Sequence, residues 1–273
     1  MEINFLQITE DNFNFFMPVI PDGLEIADNR VSIGAFDEDE GCLGAVSFSL
    51  VGFEYVIDWI YVDEEFRLRG IGKALINKVI DIVMKTGDRY PITARFEYDE
   101  KNSLYAFFLS LPDILTDFSH KRYYITPSDI RDISSLHKSS GKDVSTERFF
   151  DRPLNEQKRI LAKLEYEETY TVSDYDKWKE NCEQNLCLCV FAKNSLLDLI
   201  IMTKLPGGNL ELSYLYGKYP KGLMELLSDT VAKIELFFPG AQLTFDAMNE
   251  ASTKMADHLF PKAKTALIYE AEY

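Results

Sequence analysis

The chain has 273 residues, of which 46% are hydrophobic and 13% aromatic, which is enough for packed cores in one large or two modest domains. Its 45 acidic and 29 basic residues give a net charge of −16. This charge argues against nucleic acid as a partner, because binding to phosphate backbones depends on positive side chains. The longest apolar run, 186–192, is much shorter than the roughly 20 residues of a membrane span, so a membrane partner is not expected either.

The N-terminal segment and the cysteines bear on the cellular compartment. The residues after Met1 include no basic stretch followed by a long apolar run, as a signal peptide would have. Four cysteines in a chain of this length are typical of buried thiols rather than of a disulfide framework, and the three histidines are too scattered to complete a zinc site. We therefore expect a cytoplasmic protein that holds no metal.

The first 125 residues predict alternating strands and helices. Strands are indicated at 31–36, 42–52, 54–62 and 92–98, and helices at 71–85 and 102–111. This part holds 22 acidic and 11 basic residues, a net charge of −11. Its pattern is that of an α/β domain with a strongly acidic surface.

The second part of the chain repeats this order of elements. After helices near 128–138 and 153–165, strands are indicated at 186–192, 195–203, 210–216, 242–248 and 265–270, and helices at 220–238 and 250–259. The sequence IDWIYV at 57–62 can be laid beside LSYLYG at 212–217. We therefore predict a duplicated α/β unit with domains at 1–125 and 126–273, the alternative being an unrelated α/β domain at the second position.

A strand-to-helix loop at 62–73 is the most informative segment for function. Two arginines and two glycines lie between the predicted strand and the predicted helix, and a helix N-terminus presents free N–H groups and a partial positive charge to anions. The Walker pattern is absent, and the dinucleotide fingerprint fails because Leu75 stands where a third glycine is needed. The loop therefore predicts a phosphate site of another kind, with a plain tight turn as the alternative.

The pattern Arg67-x-x-Gly70-x-Gly72, placed after a strand and opening a helix, resembles the acetyl-CoA pyrophosphate loop of the GNAT acetyltransferase superfamily. The order of the surrounding strands and helices resembles that family too. The resemblance implies an α/β (α+β) fold of two tandem GNAT-like domains, each a mixed, mainly antiparallel central sheet flanked by helices. The second domain would be degenerate, since its loop at 216–222 keeps only Gly222 and holds Pro220, which has no N–H.

The resemblance also implies roles for individual residues. The cofactor would be acetyl-CoA, a co-substrate, with its pyrophosphate on the loop amides, its pantetheine arm along the end of the third strand and one further contact in the short helix. The residues implied are, in that order, Arg67, Leu68, Arg69, Gly70, Ile71, Gly72 and Lys73; Ile60, Tyr61 and Val62; and Asn102, with Glu100 as the alternative. The family's proton-donating tyrosine then falls on Leu109 or Phe107, and Tyr105 is out of register.

Asp58 takes the position of the family's general base on the third strand. If the strand alternates normally, Asp58 shares a face with Val56, Ile60 and Val62, and desolvation among these apolar side chains would raise its pKa. The alternative is a structural aspartate paired with an Arg or Lys or hydrogen-bonded to a loop.

Taken together, the sequence predicts an N-acetyltransferase that transfers an acetyl group from acetyl-CoA to a primary amine by direct attack. The acceptor is expected to be a small molecule or peptide, and a cationic one because the N-terminal part is acidic. The missing tyrosine and the degenerate second copy favour the alternative, a non-catalytic tandem module that binds CoA or a protein partner.

Overall fold

The computed structural model describes residues 2–21, 30–100, 103–132, 146–167, 170–172, 174–192 and 195–273. Asn102, the hairpin turn expected at 193–194 and the end of the helix expected near 128–138 lie outside these residues. The chain forms two compact units. Unit 1 comprises Met1–Ser119 and Ile268–Tyr273, and unit 2 comprises His120–Leu267.

Twelve strands and eight helices are present in the described parts of the chain. The strands are β1 (Asn4–Gln7), β2 (Arg30–Asp37), β3 (Gly41–Val51), β4 (Glu54–Val62), β5 (Ile92–Glu97), β6 (Leu115–Ile125), β7 (Glu147–Arg148), β8 (Leu188–Ala192), β9 (Ser195–Lys204), β10 (Leu210–Gly217), β11 (Leu243–Ala247) and β12 (Lys264–Glu272). The helices are α1 (Phe13–Phe16), α2 (Ile71–Thr86), α3 (Ser103–Leu109), α4 (Pro127–Asp132), α5 (Leu154–Tyr166), α6 (Tyr175–Asn181), α7 (Pro220–Phe237) and α8 (Glu250–Leu259). None of the helices described is both long and apolar enough to cross a membrane.

The sheet of unit 1 runs in the order β1-β2-β3-β4-β5 and ends with the last residues of β12. Its pairs are antiparallel except for β4 and β5, which are parallel. Helix α2 covers one face because Ile71, Leu75 and Val79 recur at helical spacing and are buried in the core beneath it. Both of its ends lie at glycines with left-handed backbone, Gly70 at φ +86° and Gly87 at φ +82°.

Strands β4 and β5 separate soon after they meet. Their register is Tyr55↔Ile92 and Val56↔Thr93, and no later pair between them is found in the described residues. The last residues of β4, from Ile57 to Val62, therefore pair with β3 on one side and leave their other edge open.

A β-bulge lies at the same position in each unit. In β4, Ile57 pairs with Phe48 and Trp59 with Ser47, so Asp58 is the extra residue. In β10, Leu212 pairs with Met202 and Tyr214 with Ile201, so the extra residue is Ser213. Asp58 and Ser213 are also the residues that coincide when 57–62 is laid beside 212–217, which supports the duplication.

The sheet of unit 2 runs in the order β6-β11-β10-β9-β8-β7, antiparallel except for the parallel pair β10 and β11. Helix α7 buries Leu226 and Ile234 against one core, and a second core holds the thiols of Cys182, Cys187 and Cys189. The expected mixed, mainly antiparallel sheets flanked by helices are thus confirmed for both units. Five elements of the fold were not expected from the sequence: β1, α1, β6, β7 and α6.

The last strand of the chain completes the sheet of unit 1. Residues Ile268 to Glu272 pair antiparallel with β5, and Ile268 and Ala271 are buried. The units therefore differ from the expected domains 1–125 and 126–273, because the division falls within β6 and because Ile268–Tyr273 belong to unit 1. The physical reason is that β5 has an edge whose backbone groups need a partner, and the C-terminal segment provides it.

A chain that ends at Leu267 should be less stable than the full chain. The truncation removes the partner of β5 and exposes the apolar surface that Ile268 and Ala271 cover. Loss of this burial should cost about 2–3 kcal/mol, and thermal unfolding should therefore begin at a lower temperature. As a control, replacement of the exposed Tyr273 by Ala should change the melting temperature little; equal melting of the truncated and full chains would contradict the role of this strand.

The stability of unit 2 should depend on pH through Asp246. Burial raises its pKa, but hydrogen bonds from Arg122, at 2.7 and 2.8 Å, and from His120 outweigh burial and hold the pKa well below the usual range. Because the pKa is lower in the folded than in the unfolded state, Asp246 adds stability at pH values above its unfolded pKa of about 4. This stability is lost as the pH falls from about 4 toward the lower pKa of the folded state. We expect the free energy of unfolding of the wild type to exceed that of Asp246→Asn by about 2 kcal/mol at pH 7.

This difference, measured by urea unfolding, should shrink steadily as the pH is lowered from about 4 toward 2. Asp81→Asn, at an exposed position on α2, is the control and should show no such dependence. A difference between Asp246→Asn and the wild type that stays constant across this pH range would refute the assignment.

Candidate functional site

The first turn of α2 and the loop before it present a row of free backbone donors. Within the part of the chain that the structure describes, the N–H groups from Leu68 to Lys73 donate to no acceptor, and the first bond of the helix runs from Ala74 N–H to the Gly70 carbonyl at 3.0 Å. Leu68 reverses the chain with φ +63°, and Gly70 follows at φ +86°. Arg67 differs from the other loop residues because its N–H donates to the Glu64 carbonyl at 3.4 Å. A row of unpartnered N–H groups at a helix N-terminus is suited to bind an anion.

Three cationic side chains belong to this loop and to the first turn of α2. The Arg67 guanidinium donates to the Val62 carbonyl at 3.1 Å and pairs with Glu64 at 3.4 Å. Arg69 lies over the ring of Phe66, and no ion pair is described for it or for Lys73. Arg69 and Lys73 are therefore the cations that an anion bound at the loop would meet with their charges unpaired.

Glycine is required at positions 70 and 72 for two different structural reasons. Gly70 adopts a left-handed conformation that favours glycine, and a Cβ there would meet no atom within 4 Å. At Gly72, a Cβ would lie 3.0 Å from the ring of Phe107 and 3.7 Å from Val62. Gly70 thus leaves the space above the amides open, whereas Gly72 lets α2 pack closely against α3.

The open edge of β4 lies directly before this loop. Ile60 and Val62 pack against the core of unit 1, while Tyr61 is partly exposed beneath the Arg67 guanidinium, 5.5 Å from its ring centre. An extended ligand could add to this edge through main-chain hydrogen bonds, as a strand adds to a sheet. The open edge and the free amides from Leu68 to Lys73 are thus two stretches of available backbone groups, separated by residues 63–67, where the N–H groups of Asp63, Glu65, Phe66 and Arg67 already donate within the chain.

Asp58 does not share a face with Ile60 and Val62, which pack against the core of unit 1, so the expected set of apolar neighbours is wrong. Its Oδ2 accepts a hydrogen bond from Arg30 Nε at 3.0 Å, and its Oδ1 accepts one from Ser49 Oγ at 3.2 Å. The side chain is 19% exposed. The bulge at Asp58 breaks the strict alternation of the strand, which is why the expectation failed. Arg30 and Ser49 are site residues that the sequence analysis did not identify.

At the positions that correspond to Arg30, Ser49 and Asp58, unit 2 has the neutral residues Cys182, Thr203 and Ser213. In unit 1, Ser49 is paired with Arg30 across β2 and β3 and contacts the bulge residue Asp58. In unit 2, the backbone of Thr203 is paired with that of Cys182 in an isolated antiparallel β-bridge. The hydroxyl oxygen of Thr203 lies 2.7 Å from that of the bulge residue Ser213. Both units therefore have a hydroxyl group in contact with the bulge residue. Of these two arrangements, that of unit 1 includes an ion pair, between Arg30 and Asp58, and that of unit 2 does not.

Helix α3 supplies aromatic side chains near the loop. Phe107 faces Gly72, Leu109 is exposed, and Tyr105 packs against Tyr98 and Tyr269 with ring centres 5.2 and 4.8 Å away. No tyrosine therefore stands at either position where the family's proton donor was expected. Tyr269 comes from the C-terminal strand, and no local pattern in the sequence could have brought it to α3.

The comparisons with known proteins agree with this geometry. Residues 5–108 match the model of the acetyltransferase (GNAT) family. A search of the curated proteins gives no match. The matched residues hold the free amides, the open edge of β4 and Asp58.

Solved structures share the fold over almost the whole chain. A tandem GNAT protein from the clavulanic acid biosynthesis pathway has a TM-score of 0.60 and 12% identity, covering 99% of this chain and 98% of that one. A GCN5-related N-acetyltransferase from Kribbella flavida has a TM-score of 0.57 and 15% identity, covering 98% and 71%. The glucosamine N-acetyltransferase region of a fungal multi-domain β-N-acetylglucosaminidase has a TM-score of 0.70 and 12% identity, covering 100% and 38%.

The solved structures share the fold over almost the whole chain, and the family model matches residues 5–108. Residues 5–108 belong to the GNAT acetyltransferase family, a family of acyl transfer, and the recognition of this family from the loop is confirmed.

Proposed function

We propose that this protein is an acetyl-CoA-dependent N-acetyltransferase whose active site lies in unit 1. The observation that carries the proposal is the row of unpartnered amides from Leu68 to Lys73, which is separated from the open edge of β4 by residues 63–67. Of the two domains predicted from the sequence, the one at 1–125 would be catalytic and the one at 126–273 would be a degenerate copy.

The residues of unit 1 fit acetyl-CoA. The amides from Leu68 to Lys73 would hold its pyrophosphate, with Arg69 and Lys73 balancing the charge, and the backbone of Ile60, Tyr61 and Val62 would pair with its pantetheine arm. The N–H of Arg67 is already engaged, so Arg67 would contribute through its side chain. Bound acetyl-CoA supplies a thioester whose carbonyl carbon an amine can attack. Asn102 stays a proposed contact on the family resemblance.

The acceptor would be a primary amine on a small molecule or peptide. The acidic N-terminal part attracts cations, and amines are cationic at neutral pH. An amine must lose a proton before it attacks, and Asp58 is the proposed acceptor of that proton. Both oxygens of Asp58 accept one hydrogen bond each, and a carboxylate has lone pairs to accept another.

The ion pair of Asp58 with Arg30 and the absence of a tyrosine at Leu109 and Phe107 favour a second candidate, a module that binds CoA or a protein partner without turnover. The experiment that separates the two candidates is a panel of cationic and neutral primary amines incubated with acetyl-CoA. Release of free thiol that requires both the protein and an amine supports the transferase. Binding of one CoA per chain by calorimetry, with no thiol released by any amine, supports the binding module.

A further inference from the structure

The start of α7 in unit 2 holds a buried carboxylate of the chain itself. Asp198, on β9 opposite Gly217, is fully buried. Its Oδ1 accepts hydrogen bonds from the N–H groups of Lys218 and Tyr219, at 3.0 Å each. These two residues lead directly into α7, which begins at Pro220. The carboxylate therefore lies where the backbone N–H groups of the loop and the positive end of the helix converge.

The second oxygen of Asp198 fills the space beside Gly222. Oδ2 is buried and has no hydrogen-bond partner among the described residues, and a Cβ built at Gly222 would lie 2.1 Å from it. Gly222 thus makes room for a carboxylate that belongs to the chain. Burial raises the pKa of Asp198, and the amides of Tyr219 and Lys218 oppose this rise without cancelling it, so the charge is held here at a free-energy cost.

The register identifies the counterpart of Asp198 in unit 1. Counted from the bulge, Asp198 opposite Gly217 corresponds to Gly44 opposite Val62. Unit 1 has no side chain at this position, and the loop amides that follow are free. Unit 2 has a carboxylate there, and two of its loop amides are taken.

We infer that Asp198 is a built-in anion that occupies the N-terminal end of α7 and closes the loop of unit 2 to external phosphate. The structure assigns to this loop a latent site for a diphosphate, which removal of the carboxylate should open. The inference concerns unit 2 and holds independently of the function proposed for unit 1.

Calorimetric titration with inorganic pyrophosphate tests this inference. Asp198→Ala should bind one pyrophosphate per chain more than the wild type, and Asp198→Asn, which keeps the size of the side chain, should bind the same number as the wild type. The same comparison in an Arg69→Glu, Lys73→Glu background separates the two units, because the added site should persist when the loop of unit 1 is disabled. An unchanged number of sites in Asp198→Ala, or a pyrophosphate site in unit 2 of the wild type, would overturn the inference.

A thermodynamic cycle tests the geometry without a ligand. Gly222→Ala should lower the melting temperature of the wild type, because its Cβ would lie 2.1 Å from Oδ2, and should lower that of Asp198→Ala much less, because only the contact with Tyr219 Cδ1 at 3.1 Å remains. Gly240→Ala, where a Cβ would meet no atom within 4 Å, is the control and should have no effect in either background. Equal effects of Gly222→Ala in both backgrounds would contradict the placement of Asp198. If Asp198→Ala does not fold, Asp198→Ser serves in both experiments, because its hydroxyl oxygen can still accept a hydrogen bond from one amide N–H.

Discussion

A chain that carries Arg69→Glu and Lys73→Glu should bind acetyl-CoA about 100-fold more weakly than the wild type. Each charge-assisted hydrogen bond to a phosphate contributes about 1.5–3 kcal/mol, and a tenfold change in affinity corresponds to about 1.4 kcal/mol. Both side chains are exposed, so the substitutions should leave the fold of unit 1 intact. Calorimetry with acetyl-CoA measures the effect.

The matched control reverses two charges at the other end of the same helix. Both residues are exposed: Lys85 lies in the last turn of α2, and Arg89 follows the helix, whose 16 residues span about 24 Å. Lys85→Glu with Arg89→Glu changes the net charge by the same amount and should alter the affinity only slightly. The loss at the loop should also shrink as salt is added. Equal affinities of the two double variants would show that the pyrophosphate binds elsewhere.

The elements around this loop could be predicted from the sequence because their signals are local. The strand expected at 54–62 is β4, Glu54–Val62, and the helix expected at 71–85 is α2, Ile71–Thr86. Apolar residues at helical spacing and glycines at the ends depend only on near neighbours in the chain. The match of 5–108 to the GNAT family rests on the same stretch.

Features that depend on distant parts of the chain could not be predicted. Arg30 contacts Asp58 across 28 positions, and the bulge that turns Asp58 toward it depends on the register with β3. The sequence predicts only a final strand at 265–270, and the unsatisfied edge of β5 decides that residues 268–272 complete unit 1. In each case the sequence identifies a candidate residue or strand, and tertiary packing decides its partner.

The glycines show the same limit from another direction. A glycine in a strand-to-helix loop suggests close approach of a ligand, and at Gly70 the open space agrees with this suggestion. At Gly72 the neighbour is Phe107, and at Gly222 it is Asp198, so both glycines admit side chains of the chain itself. The residue type alone does not distinguish these reasons.

Asp58→Asn should lower the rate of acetyl transfer by about 10²–10⁴-fold at neutral pH, the range expected when a general base is removed. Asparagine keeps the size of the side chain and can still accept a hydrogen bond from Arg30 or Ser49, so the fold of β4 should persist. The deficit should shrink at high pH, because the amine then arrives without its extra proton. Steady-state rates of thiol release from acetyl-CoA between pH 6 and 10 measure both effects.

Two variants of its neighbours distinguish a base from a structural aspartate. Ser49→Ala removes one hydrogen bond and keeps the carboxylate, so the rate should change by less than about tenfold. Arg30→Gln removes the ion pair and keeps the carboxylate, so the rate should not fall as it does in Asp58→Asn. If Asp58→Asn and the wild type share one pH–rate profile, Asp58 is not the base, and the amine must lose its proton to water or to another residue.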